Sequence, residues 1–170
     1  AMNTRLVGSE MCIRDRPLAL TYLSGPNFIG SGKAIDPDVL SGTIRIVPIV
    51  NMPGYKMKSR HMPDGRDLNR SFPGKPDSNT SYRVANRFWK EIIAGSDYVI
   101  DLHTAAVGRT NMPQIRANRA HASSNKIARS FGIEAILDNV GPKGSLRRVT
   151  NDADIACVTF EGGGPDELDL

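Results

Sequence analysis

A three-layer α/β/α fold around a largely parallel or mixed central sheet is the architecture this chain predicts, on three observations. Short β-branched apolar runs alternate with stretches of helical periodicity, Gly, Pro, Asn and Asp punctuate the boundaries, and no run reaches the ~18 apolar residues of a membrane span. The 170 residues, 39% hydrophobic and 24% charged, are enough for one core and too few for two comfortable domains.

Thr43 to Val50 (TIRIVPIV) predicts a strand, with Pro48 removing a ladder donor and placing it at an edge or a strand end. Asn51 to Pro76 has little periodicity, which in a compact domain marks a functional loop. Asp77 to Thr80 offers caps for a helix to about Ala94, whose Tyr82, Ala85, Phe88, Trp89 and Ile92 form one apolar stripe and read as core. Gly95 stops it before a strand from Asp97 to His103. A strand around Pro113 to Ala117, a helix from about Ala120 to Phe131 ended by Gly132, and strands at Ile133 to Leu137 and Asp154 to Phe160 complete the order. There are no repeats or low-complexity tracts.

The formal net charge of +4 is too small and scattered to imply nucleic acid. Lys56, Lys58, Arg60, Arg66 and Arg70 do concentrate in and around the long loop, which suits an anionic small molecule. For Lys56, Lys58 and Arg60 a solvated basic surface accounts for the charges equally well. Cys157 lies in an apolar run and reads as a buried thiol without a disulfide partner outside residues 1–16. Cytoplasm is the default compartment, no membrane or nucleic-acid partner is expected, and homo-oligomerisation is left open.

Two segments carry the chemistry. Gly65-Arg66-Asp67-Leu68-Asn69-Arg70-Ser71-Phe72-Pro73-Gly74 brings two guanidiniums and an amide together beside turn-forming residues, so that several donors can converge on a carboxylate or carbonyl. Asp101-Leu102-His103-Thr104 puts an imidazole at the end of an apolar strand, with Asp101 on the same face by period-two alternation. Glu161 follows the apolar run Cys157 to Phe160 and precedes Gly162-Gly163-Gly164-Pro165, at the kind of strand end where open α/β sheets place ligands. By position alone, His103 is a structural strand-end histidine and Glu161 a surface carboxylate. His61 reads as an exposed loop histidine and His121 as a residue at a helix start.

These motifs resemble the succinylglutamate desuccinylase/aspartoacylase family, a branch of the metallocarboxypeptidase-like zinc hydrolases, from about Pro17 to about Pro165. The resemblance implies a zinc cofactor with His103 as one ligand, two further ligands coming from a His-x-x-Glu motif that this chain lacks. It implies Glu161 as general base, Arg66 polarising the scissile carbonyl, and Asn69 with Arg70 binding the substrate carboxylate. Arg147 resembles a further substrate arginine, with neighbouring Arg148 as its competitor. Asp101, on the same strand face as His103, is expected to order the site behind it. Salt bridges to Asp64 and Asp67 are the structural alternative for one or two of these arginines.

Leu6 to Arg16 (LVGSEMCIRDR) matches in order the translation of a transposase sequencing adapter, so residues 1–16 are expected to be a non-native scar. Residues 17–170 are then a partial zinc-hydrolase catalytic domain, zinc-carboxypeptidase-like and truncated at both ends, with Pro17 to Leu23 as the helix after the missing motif. The function expected is that of a zinc-dependent deacylase cutting the amide bond of an N-acyl amino acid or similar small carboxylate. A metallocarboxypeptidase is the near alternative. A carboxylate-binding domain without catalysis is the alternative of another class.

Overall fold

The computed structural model describes residues 4–8, 42–47, 49–106 and 108–164. Among these residues the sheet has six strands: β1 (Thr4–Gly8), β2 (Ile46–Val47), β3 (Tyr98–His103), β4 (Asn111–Ala117), β5 (Ile136–Asp138) and β6 (Ala156–Gly163), in the order β2-β1-β3-β6-β4-β5. Every neighbouring pair is parallel except β4 with β6, which makes the sheet mixed. Among the described residues four α-helices accompany it: α1 (Met52–Lys56), α2 (Thr80–Phe88), α3 (Ala122–Ser130) and α4 (Leu146–Asp152).

Period-two alternation assigns the layers. Val99 on β3 and Cys157 on β6 are register partners and pack on one face with Ala85 of α2 and Leu146 of α4. Val158 and Phe160 point the other way, onto Ala128 of α3, Ile115 and Ala117. With helices on both faces, β6 is buried at every position, as a central strand must be. Burial also pushes the Cys157 thiol well above its ordinary pKa, so it is an inert core group.

The helices follow their local signals. Asn79 caps α2 by accepting from the Tyr82 N–H at 3.1 Å, and Ala85, Phe88, Trp89 and Ile92 of the expected stripe reach the core, joined by Val84. Phe88 meets Phe72 of the loop with ring centroids 6.0 Å apart. The helix passes into a single π turn, Trp89–Ile93, before Gly95 reverses the chain at φ +76°.

Several boundaries differ from expectation. The strand foreseen over Thr43 to Val50 is reduced to Ile46–Val47 among the described residues, and Pro48 lies outside them. The loop from Asn51 contains α1, started by Asn51 capping Gly54, and a 3-10 turn at Leu68–Arg70. Ser145 caps α4, which has no long apolar periodicity to announce it. Thr4–Gly8, within the segment expected to be non-native, pairs between β2 and β3. Ladder pairing is made by backbone N–H and C=O groups and asks little of side chains. The helix expected at Pro17 to Leu23 lies outside the described residues.

Candidate active site

Along one face of β3 and β6 the side chains change from apolar to polar toward the carboxyl ends. Val99 and Cys157 are followed by Asp101 beside Thr159, and then by His103 beside Glu161. The site therefore sits directly above the first core, at the strand ends.

His103 is 8% exposed and Asp101 1%, and His103 Nε2 lies 2.8 Å from Asp101 Oδ2. Burial alone would lower the imidazole pKa, but the charge and hydrogen bond of Asp101, with the charge of Glu161 added, leave it raised. The Asp101 contact fixes the orientation of the imidazole ring. Glu161 is held at both oxygens, by Arg116 Nη1 at 3.0 Å from Oε1 and by Asn111 Nδ2 donating to Oε2 at 2.6 Å.

The long loop closes the opposite wall. Asp67 caps the 3-10 turn, its Oδ1 accepting from the Asn69 N–H at 2.8 Å, while its Oδ2 accepts from Arg60 Nε at 3.1 Å and Nη2 at 2.8 Å. Asp64 ties the loop to the start of α2 by accepting from the Ser81 N–H and hydroxyl. Desolvation would raise its pKa, yet those bonds and the neighbouring Arg66 hold it below the usual carboxylate range.

Asn69 Oδ1 accepts from the Leu146 N–H at 2.7 Å, joining the loop to the first turn of α4. Because a backbone N–H can only donate, this bond settles which side-chain atom is oxygen, and the Asn69 amide nitrogen is turned the other way as a donor. Gly144 makes the junction possible: at φ +75° it approaches so closely that a Cβ would stand 2.4 Å from the Arg70 carbonyl oxygen. Arg147 leaves α4 inward and is buried, donating through Nη1 to the Asn139 carbonyl and through Nη2 to its side-chain oxygen at 2.8 Å. Arg148 faces outward and pairs with Asp152.

These walls enclose a cleft of about 210 Å³. Among the described residues Arg60, Arg70, Arg109, Arg116 and Arg147 line it, against one lining carboxylate, Glu161. A cavity with that charge excess suits a small anion.

Of the residues singled out in the sequence, Asn69, Arg70, His103, Arg147 and Glu161 all line this cleft. Arg66 does not. It is exposed at a turn formed around Gly65 at φ +75°, and its main chain is tied to Asp64. Arg60, which a basic surface explained equally well, takes a place on the wall because Asp67 holds its guanidinium there. Asn111 and Arg116 of β4, and Arg109 just before it, carry no local signal that places them on the cleft. His61 is exposed, and His121 caps α3 through Nδ1, accepting from the Ser124 N–H at 3.2 Å. Among the described residues no three His, Cys, Asp or Glu side chains stand together as a metal cage. The donor set present, one imidazole backed by a carboxylate, falls short of the three protein ligands of a catalytic zinc. No helix among the described residues is long and apolar enough to cross a membrane.

Residues 32–169 match the family model described as the succinylglutamate desuccinylase/aspartoacylase catalytic domain. N-alpha-acetyl-L-2,4-diaminobutyric acid deacetylase of Halomonas elongata is 42% identical over 72 residues, which cover 42% of this chain and 20% of that protein. The product-bound ectoine utilization protein of Ruegeria pomeroyi superposes with a TM-score of 0.77 at 24% identity, over 97% of this chain and 51% of its own. A succinylglutamate desuccinylase/aspartoacylase of Rhodobacter sphaeroides gives 0.76 at 23% identity, over 100% of this chain and 51% of its own. The murein-tripeptide amidase of Escherichia coli O157 gives 0.64 at 17% identity, over 99% of this chain and 76% of its own. The chain thus spans about a fifth of the curated relative and about half of the first two solved structures. At these structural identities the likeness concerns the fold, a zinc-carboxypeptidase-like mixed α/β sheet.

Proposed function

Because the chain belongs to the succinylglutamate desuccinylase/aspartoacylase catalytic-domain family, we propose that it is the substrate-binding and proton-transfer part of a zinc-dependent deacylase acting on an N-acyl amino acid or similar small carboxylate. The observation that carries this is the cleft in which five guanidiniums surround Glu161 and His103 at adjacent strand ends.

In this reading Asn69, through its amide nitrogen, and Arg70 take the substrate carboxylate. Arg147, fixed on Asn139, adds positive charge from the buried side. Arg60, braced by Asp67, faces the scissile carbonyl in place of the outward-turned Arg66, and stabilises the developing oxyanion by about 3 kcal/mol, the scale of one such donor. Glu161 takes a proton from the attacking water and returns one to the leaving amine. His103 supplies one zinc ligand, with Asp101 fixing its ring. The described residues do not complete a metal site, and a zinc bound beside His103 would need further ligands, as a His-x-x-Glu motif would supply.

That incomplete donor set also favours a second reading, a carboxylate-binding domain without catalysis. Calorimetric titration of this chain with zinc and with N-acetyl amino acids addresses both. We expect no submicromolar zinc binding, and millimolar-range carboxylate binding that weakens in Arg70→Met. Tight zinc binding lost in His103→Ala would show that the chain holds the metal unaided. A parent with His-x-x-Glu that is zinc-loaded yet hydrolyses no acyl amino acid would leave the binding domain as the better account.

A further inference from the structure

Glu161 is gripped at both carboxylate oxygens by two residues of a single neighbouring strand, and the strand is irregular where this happens. Asn111 and Arg116 stand an odd number of residues apart on β4, so in a regular strand their side chains would leave opposite faces of the sheet. The antiparallel register pairs Gln114 with Glu161 and Arg116 with Thr159, but Asn111 with Gly163, which places one more residue on β4 than on β6. That β-bulge restores Asn111 to the face Arg116 occupies, the kind of re-aiming that bulges beside functional sites perform.

The two residues then approach Glu161 along the two diagonals of the ladder, a distance that longer polar side chains can span. Asn111 faces a glycine, Gly163, so no side chain intervenes on its path. Arg116 leaves its Nε buried without a hydrogen bond while Nη1 reaches Oε1 at 3.0 Å, so its guanidinium is placed for the carboxylate rather than for its own satisfaction. An ion pair serving burial alone would need Arg116 and no bulge.

We propose that Asn111 and Arg116 are positioning residues, a two-point clamp that holds the Glu161 carboxylate in one orientation, with the β4 bulge as the device that brings the second grip to bear. A single hydrogen bond leaves a carboxylate free to swing about that contact. Two contacts on different oxygens remove the swing, so an oxygen is presented to the cleft at a fixed place, as pre-organised catalysis requires. The significance for catalysis rests on Glu161 being the proton-transfer group, whereas the clamp itself is a property of this chain.

The test uses this chain, labelled with ¹³C glutamate, and reads the side-chain couplings of Glu161 by NMR. We expect one rotamer in the wild type, rotamer averaging in Arg116→Met and in Asn111→Ala, and recovery of the single rotamer in Arg116→Lys, which keeps a cationic donor. The β6 amide signals should stay within the folded pattern throughout. Should Arg116→Met not fold, Asn111→Ser gives the same reading from the other end of the clamp. A single Glu161 rotamer persisting in both Asn111 variants, or in Arg116→Met, would overturn the proposal. In the zinc-loaded parent, Arg116→Met should lower kcat at least tenfold with KM within twofold, and should add nothing in a Glu161→Gln background. If Glu161→Gln leaves kcat unchanged, the proton-transfer reading fails while the NMR result still judges the clamp.

Discussion

Replacing Asp67 with Asn separates the two duties of one side chain. The capping oxygen can still accept from the Asn69 N–H, now 2.8 Å away, but the position facing Arg60 becomes an NH2 group that cannot accept from the guanidinium. Lost are a charge-assisted contact to Nε at 3.1 Å and another to Nη2 at 2.8 Å. In a fully buried setting, removing one partner of such a pair would cost several kcal/mol by leaving the other charge unpaired, but here the Arg60 side chain is 35% exposed and that of Asp67 15%, so solvent screens part of it. Together with the side-chain entropy that Arg60 regains, this argues for a net destabilisation of about 1–2 kcal/mol. Asp67→Ala loses the cap as well, worth roughly 1 kcal/mol more. Urea unfolding of the chain should therefore rank the variants wild type, Asp67→Asn, Asp67→Ala, with a stepwise fall in midpoint at constant slope. The cleft should respond too, because an unbraced Arg60 ceases to be a fixed donor, so N-acetyl amino acids should bind more weakly to Asp67→Asn. If Asp67→Asn matched the wild type in both stability and binding, Asp67 would be a turn cap alone and Arg60 would lose its place in the proposed site.

In a zinc-loaded parent, Glu161→Gln should lower the catalytic rate by about two to four powers of ten without changing metal content, and an unaffected rate would remove Glu161 from proton transfer. Arg70→Lys keeps the charge but loses the planar fork, so it should weaken binding of acyl amino acids with a free carboxylate more than of their neutral amides, and equal losses would make Arg70 structural. The raised pKa of His103 has a pH consequence of definite sign. Stability from the His103–Asp101 pair should be fully present below the unfolded-state value of about 6.5 and should be lost as pH rises through the higher folded value. The difference in urea midpoint between wild type and Asp101→Asn should therefore shrink from pH 5.5 toward pH 8, and a difference that grew with pH would contradict the pairing.

How much of this was legible in the chain depends on the range of the interactions involved. β3 and the face shared by Asp101 and His103 follow from period-two alternation, and α2 follows from a helical stripe closed by Asn79 and Gly95, because those signals lie within a few residues of one another. The sequence by itself also determined the family, through the Gly65 to Gly74 motif and the Asp101 to Thr104 segment, and with it the three-layer α/β expectation. Tertiary structure alone decided which arginines face the cleft. Arg66 sits in the motif yet turns outward at Gly65, while Arg60 is drawn in by Asp67. Arg147 points inward and its neighbour Arg148 outward because α4, started by Ser145, sets their angles. The clamp on Glu161 depends on a register shift in β4 that no local pattern encodes. Guanidiniums are long, always charged and compatible with both surface and cleft, so their type says little about their place. Only the packing of a strand, a loop and a helix from distant parts of the chain selects one location for each.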